Sequence, residues 1–179
     1  MEILKFVLIG IAGLVALVFI IPLFTKNEID VHREVLIHKP LSEVFEYVKL
    51  LKNQNNFSVW ANKDPEMKKD FVGIDGTVGF VSKWESKIKD VGKGEQEIKK
   101  IAENQQIDYE LRFIEPFAAT NFACFSFEEI SEKQTKVKWV FSGKMKYPMN
   151  LFLLIKDMDG MLGKDLQEGL ENLKIILDK

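Results

Sequence analysis

The sequence holds one cysteine, Cys124, and two histidines, His32 and His38, so candidate nucleophiles and bases are few. Cys124 stands in the aromatic run TNFACFSF, a setting in which cysteine acts as a small apolar filler rather than as a reactive thiolate. The histidines alternate onto the face opposite Val31, Val35 and Ile37, which makes them surface residues. No G-x-S-x-G elbow, C-x-x-C pair or H-E-x-x-H motif occurs, so no nucleophile with its base, no metal site and no bound cofactor is expected. Asp108, Glu110 and Arg112 would make a carboxylate cluster with a cation. Their strand parity places them on an outer face, where pairing across strands with lysines such as Lys136 and Lys138 accounts for them. GIDG and DVGKG resemble phosphate loops only in glycine content. Neither has the Walker or dinucleotide spacing, and each falls between strands as a turn.

The aromatic residues carry more information. Fourteen Phe and three Trp are many for 179 residues. Alternation along the strands sets Phe80, Trp84, Tyr109, Leu111, Phe113, Phe125 and Trp139 on one face. Phe152, with Leu153, stands near the start of the C-terminal helical region, where it would close one end. These residues either fill a core or line an apolar pocket whose few polar groups are Ser82, the Trp84 indole and the Tyr109 hydroxyl.

Such a face needs a sheet to present it and a helix to cover it. DVHREVLIHK alternates as a strand. Pro40 then opens a helix with Leu41, Val44, Phe45, Val48 and Leu51 at helical spacing, and NQNNFSVW interrupts it. From Met67 to Met145 the period is two: MKKDFVG, TVGFVSKWES, EQEIKKIAE, QIDYELRFIEP, TNFACFSFEEI and TKVKWVFSGKM. In the fifth of these, Phe122 and Cys124 compete with Phe125 and Phe127 for the inner face, which suggests a bulge. Pro148 starts a helical tail, the Asp159–Gly160 pair marks a break, and Leu162, Leu166, Leu170, Leu173 and Leu177 then form one stripe. The expected class is α+β: a curved antiparallel sheet of about seven strands around a long C-terminal helix.

This order of elements, and the stretches HKPLSEVFEYVKLLKNQNNFSVW, GTVGFVSKWESKIKDVGKGEQEIKKI, TKVKWVFSG and GLENLKIIL, resemble the helix-grip fold of the SRPBCC superfamily. That superfamily includes START, birch-pollen-allergen and polyketide cyclase-dehydrase domains. The resemblance covers about residues 29 to 179. It implies a cavity between sheet and helix that takes lipids or other hydrophobic small molecules; the matched positions are turns and core residues, specific to fold rather than to function.

Ahead of this domain, Lys5–Phe24 (KFVLIGIAGLVALVFIIPLF) has no charge after Lys5. Twenty residues at about 1.5 Å each span a hydrocarbon core of about 30 Å. The run is longer than a signal-peptide core, and the following IPLFTKNE lacks a small-residue cleavage site. The chain therefore divides into a single-pass transmembrane anchor, 1–26, and a ligand-binding domain, 27–179. An N-terminal anchor of this kind favours an extracytoplasmic domain, although flanking charges barely discriminate. A formal net charge of −2 argues against a nucleic-acid partner. The leading expectation is membrane-anchored binding of a hydrophobic small molecule or lipid. Two alternatives are a cyclase or dehydratase-like enzyme on a hydrophobic substrate, and a protein-interaction module with a vestigial cavity.

Overall fold

The computed structural model describes residues 2–179. An apolar helix, α1 (Glu2–Ile20), continues into a 3-10 turn, Ile21–Phe24. Together these 23 residues are long and apolar enough to cross a membrane, and of the turn and helix only Pro22 is buried against the rest of the protein. Strand β1 (Glu28–Ile37) follows, then α2 (Leu41–Lys49), a 3-10 turn, and two short helices, α3 (Gln54–Phe57) and α4 (Val59–Asn62). Six more strands complete a meander: β2 (Lys68–Val72), β3 (Val81–Glu85), β4 (Lys93–Ala102), β5 (Gln106–Glu115), β6 (Ala119–Ser131) and β7 (Gln134–Lys144). A 3-10 segment, Met149–Leu154, leads to the long helix α5 (Met158–Leu177).

The seven strands form one antiparallel sheet in the order β1-β7-β6-β5-β4-β3-β2. One face alternates apolar and is covered; the other is polar and wet, as the sequence pattern requires. β1 returns to pair with the last strand, so the first and last sheet elements share an edge region, on which α5 lies. Leu166, Leu170 and Leu173 of α5 are fully buried there against Val31, Val35, Val137 and Trp139. Gly169 permits this approach: a Cβ would sit 2.8 Å from the Trp139 ring. Phe125 fills the centre, stacked on Trp139 with centroids 4.7 Å apart and meeting Phe57 edge-on.

Several local expectations need correction. β6 carries no bulge between Phe122 and Phe125. Its pairing with β5 and β7 is regular there, so Ala123, Phe125 and Phe127 point inward while Phe122 and Cys124 face out. The register shifts lie instead in β4, between Lys93 and Gly94 and between Ile98 and Lys100, and near the end of β6 at Glu129–Ser131. The Asp159–Gly160 pair does not break the last helix. It lies in the first turn of α5, because Asp157 caps that helix by accepting a hydrogen bond from the Gly160 amide at 2.9 Å. Strand β3 is shorter than its alternation suggests, since Gly79 has φ +88° and Thr77–Phe80 form a turn.

The inward charge Arg33 is satisfied locally. Its guanidinium takes both carboxylate oxygens of Asp159, at 2.9 and 3.0 Å, and lies over Gly163. This fork ties the start of α5 to β1.

Candidate functional site

The α5 helix packs on β1 and β7, and the short helices α3 and α4, packed against α5, face the β3–β4–β5 end across a gap. These are too short to fill that end, and a cavity of about 310 Å³ remains. Its sheet wall is formed by Ser82, Trp84, Leu111, Phe113 and Trp139. Its second wall is Gln54, Ser58 and Trp60, and Leu162 and Leu166 of α5 close the back. All three tryptophans of the chain, Trp60, Trp84 and Trp139, therefore line one space. Their rings are held edge-on to neighbours: Trp60 against Trp139 at 6.0 Å, Trp84 against Phe113 at 5.7 Å. The exposed side chains Lys69 and Asp90 mark the open side.

The nine residues expected at a ligand site divide into three groups. Ser82, Trp84, Leu111, Phe113 and Trp139 meet at the cavity. Phe80, Tyr109 and Phe125 share the same sheet face but are packed inside the core, away from the cavity wall. Phe80 stacks on Phe71 at 6.1 Å, and Tyr109 meets Phe125 edge-on at 6.2 Å. Phe152 is elsewhere: it is exposed on the 3-10 segment beside the end of the apolar N-terminal helix.

The polar groups also sort differently from expectation. The Trp84 indole N–H donates to the Val91 carbonyl at 3.2 Å, so it fixes the β3–β4 loop instead of pointing into the cavity. Burial pushes the Tyr109 hydroxyl far above its ordinary pKa, and the charges of Cys124 and Asp75 add to this. The Tyr109 hydroxyl and the neighbouring Gln54 amide nitrogen are sealed from solvent without a hydrogen bond to the protein. Ser82 stays at the wall, opposite Gln96 of the neighbouring strand.

Sequence reasoning missed Lys69. It pairs in register with Trp84, so its side chain rises on the cavity side of the sheet edge. Its ammonium donates to the Ala61 carbonyl at 3.0 Å and forms no ion pair among the described residues. Partial burial holds its pKa below that of an ordinary lysine. The one available signal was its parity with Phe71 in the short KKDFV strand, too weak to read alone. Gln54 and Trp60 lie in a stretch read as a helix break and as part of the fold resemblance, without a place at the site.

The outer face is chemically quiet. Arg112 is held by Glu95 at 2.6 Å, Glu97 at 2.7 Å and its strand-mate Glu110. Glu110 thus pairs with Arg112 of its own strand and not with Lys136 or Lys138. Lys136 pairs with Glu128 across β6 and β7. Hydrogen bonds from Arg112 and Lys99 hold the Glu97 carboxyl below its usual range. Cys124, half-buried beside Asp108 on this face, has its thiol pushed up to about 12, first by burial and then by the Asp108 charge. That thiol is not a nucleophile at neutral pH. His32 and His38 are exposed. Among the described residues, no group of three His, Cys, Asp or Glu side chains could hold a metal ion. The cavity can thus enclose an apolar body and offer the Lys69 ammonium at a mouth that also carries Asp90.

Comparison with family models and with curated proteins yields no match. Solved structures with the same fold are numerous. The Aha1 dimer from Colwellia psychrerythraea is 15% identical over 84% of this chain and 96% of that chain, with a TM-score of 0.57. Protein MLL2253 from Mesorhizobium loti is 16% identical over 84% and 97%, with a TM-score of 0.60. Protein XoxI from Bacillus cereus is 11% identical over 83% and 94%, with a TM-score of 0.58. At these identities the likeness establishes the helix-grip fold alone.

Proposed function

We propose that this protein is a membrane-anchored binder of an amphipathic small molecule, with α1 spanning the bilayer and the cavity enclosing the apolar part of the ligand. The observation that carries the reading is the cavity itself: about 310 Å³, walled by three tryptophans and left open beside an unpaired lysine. Its size is at the low end for small-molecule sites. Burial of apolar ligand area would supply affinity at about 25 cal/mol per Å², before the costs of ordering. Lys69 favours a ligand whose polar end is an anion, such as a long-chain carboxylate, over a neutral one. The anchor keeps the domain where such molecules concentrate, which raises their effective concentration at the mouth. An enzyme of the cyclase or dehydratase type would need an acid or base inside the cavity; the ionisable side chains among its lining residues, Lys69, Lys83 and Asp90, are all exposed at its rim.

The three tryptophans supply the test. Full-length protein in proteoliposomes is titrated with a conjugated polyene fatty acid, and energy transfer from tryptophan is followed. Saturable transfer, competed by a saturated long-chain carboxylate more strongly than by the matching alcohol, is the expected result. Lys69→Gln should remove the preference, a change of roughly threefold to tenfold. Absence of saturable transfer in the unaltered protein would sink the reading.

A further inference from the structure

We infer that the segment from Tyr147 to Ile155 is a second membrane contact, entering the boundary between headgroups and acyl chains of the bilayer in the leaflet where the N-terminal helix ends. The inference rests on the reading of Glu2–Phe24 as a membrane span.

Three hydrogen bonds lock this segment to the end of that span. The Tyr147 hydroxyl donates to the Phe19 carbonyl at 3.0 Å. The Asn150 amide donates to the Pro22 carbonyl at 2.8 Å and to the Thr25 carbonyl at 3.2 Å. Asn150 is buried, so the turn at 22–25 is built into the folded domain rather than trailing from it. Depth follows from these bonds. Lys5 to Phe24, helix and 3-10 turn together, covers about 30 Å along the axis, close to the thickness of a hydrocarbon core. Phe19 lies about 10 Å inside Phe24 on the same measure. A side chain bonded to Phe19 therefore cannot stand in bulk water while the helix spans.

The composition of the segment agrees with that depth. Ile155 is 72% exposed, Leu154 61%, and Phe152 46%, close together on one short segment that packs beside the end of the span. Phe24, 87% exposed, lies on the adjoining turn. From Lys144 to Lys156 the chain carries three lysines and no acidic residue. Lys146 and Lys156 flank the apolar stretch and form no ion pair among the described residues. Apolar residues flanked by tyrosine and lysine are suited to the interface, where the ring sits at headgroup level and the ammonium groups reach anionic lipid. Continuity with the span and this one-signed charge both specify a bilayer as the partner. Anchored at two points, the domain would hold a fixed orientation, with α5 leaving the membrane contact and reaching the cavity wall at Leu162 and Leu166.

The test uses the full chain with Cys124→Ser and a single new cysteine at Val15, Leu154 or Ile175, each labelled with an environment-sensitive fluorophore. Proteins are reconstituted in vesicles containing anionic phospholipid and lipid carrying a spin label high on the acyl chain. Ile175, exposed on α5, serves as the control for the solvent side. Strong quenching at Val15 and Leu154, several-fold greater than at Ile175, is expected. Quenching at Val15 with Leu154 no better quenched than Ile175 would overturn the second contact and leave the span standing. No quenching at Val15 would overturn the span, and the second contact with it.

Discussion

The two ends of the sheet use the same alternation and reach opposite results. At the β1–β7 end, alternate residues from Ile29 to Ile37, Arg33 excepted, and from Thr135 to Trp139 are buried, and α5 packs down to the Gly169–Trp139 contact. At the β2–β3 end no strand residue is fully buried, and Trp84 borders open volume. The difference lies in the cover. A helix of 20 residues spans one end, while two single-turn helices roof the other. An apolar strand face thus becomes a core or a pocket wall according to what lies above it, a property set by tertiary arrangement rather than by strand pattern.

The contrast can be broken most directly by truncating one aromatic at each end. Phe125→Ala should cost about 3–5 kcal/mol, because Phe125 is fully enclosed and its neighbours cannot collapse into the gap. Trp84→Ala should cost clearly less, since one side of the indole already faces the cavity. Urea denaturation of both variants checks this, and equal losses would mean that the two ends are packed alike. Gly169→Ala should cost about 1–3 kcal/mol by forcing α5 away from Trp139. The same substitution at Gly10, where nothing lies within 4 Å, should leave domain stability unchanged, as thermal unfolding would show.

A substitution that adds volume tests the contrast from the other side. Leu111→Trp should fill the cavity, abolish ligand uptake and leave unfolding within about 1.5 kcal/mol of the parent, a tolerance no site in a full core would give. Tryptophan emission with and without fatty acid reads both effects.

The smallest effect is electrostatic and belongs to the packed end. Burial raises the Asp178 pKa, but hydrogen bonds from Lys174 and from the His38 ring and amide outweigh it and hold the carboxyl at about 2. Because the folded pKa lies below the unfolded value, this contribution is fully present above about pH 4. It is lost as pH falls from about 4 through about 2. Asp178→Asn should flatten the stability–pH profile in that window only, as measured by denaturation midpoints at stepped pH.

Much of this was legible beforehand, and the gaps have physical causes. Seven strands, the final helix and the inward set from Leu111 to Trp139 follow from period-two alternation with short turns, a signal that burial enforces on one face. Five expected site residues do converge on the cavity. Phe80, Tyr109 and Phe125 could not be separated from them, because parity assigns a face and not a depth under a particular helix. Phe152, expected to close one end of the pocket from its place near a helix start, stands away from the cavity because sequence position does not reveal which distant turn it packs beside. Its true neighbour is the turn at Ile21–Phe24, more than a hundred residues away in sequence. Lys69 and Gln54 escaped notice because a single polar residue has no periodicity, and its position becomes meaningful only once the strands are paired.

The central claim is that the loosely covered end of the sheet holds a ligand. Native mass spectrometry of the full chain, released from lipid nanodiscs after expression in a lipid-rich host, tests it most directly. An adduct of defined mass is expected on the unaltered protein, weakened by Lys69→Gln and absent from Leu111→Trp. A clean apo mass that persists after incubation with long-chain carboxylates and membrane lipids would contradict it.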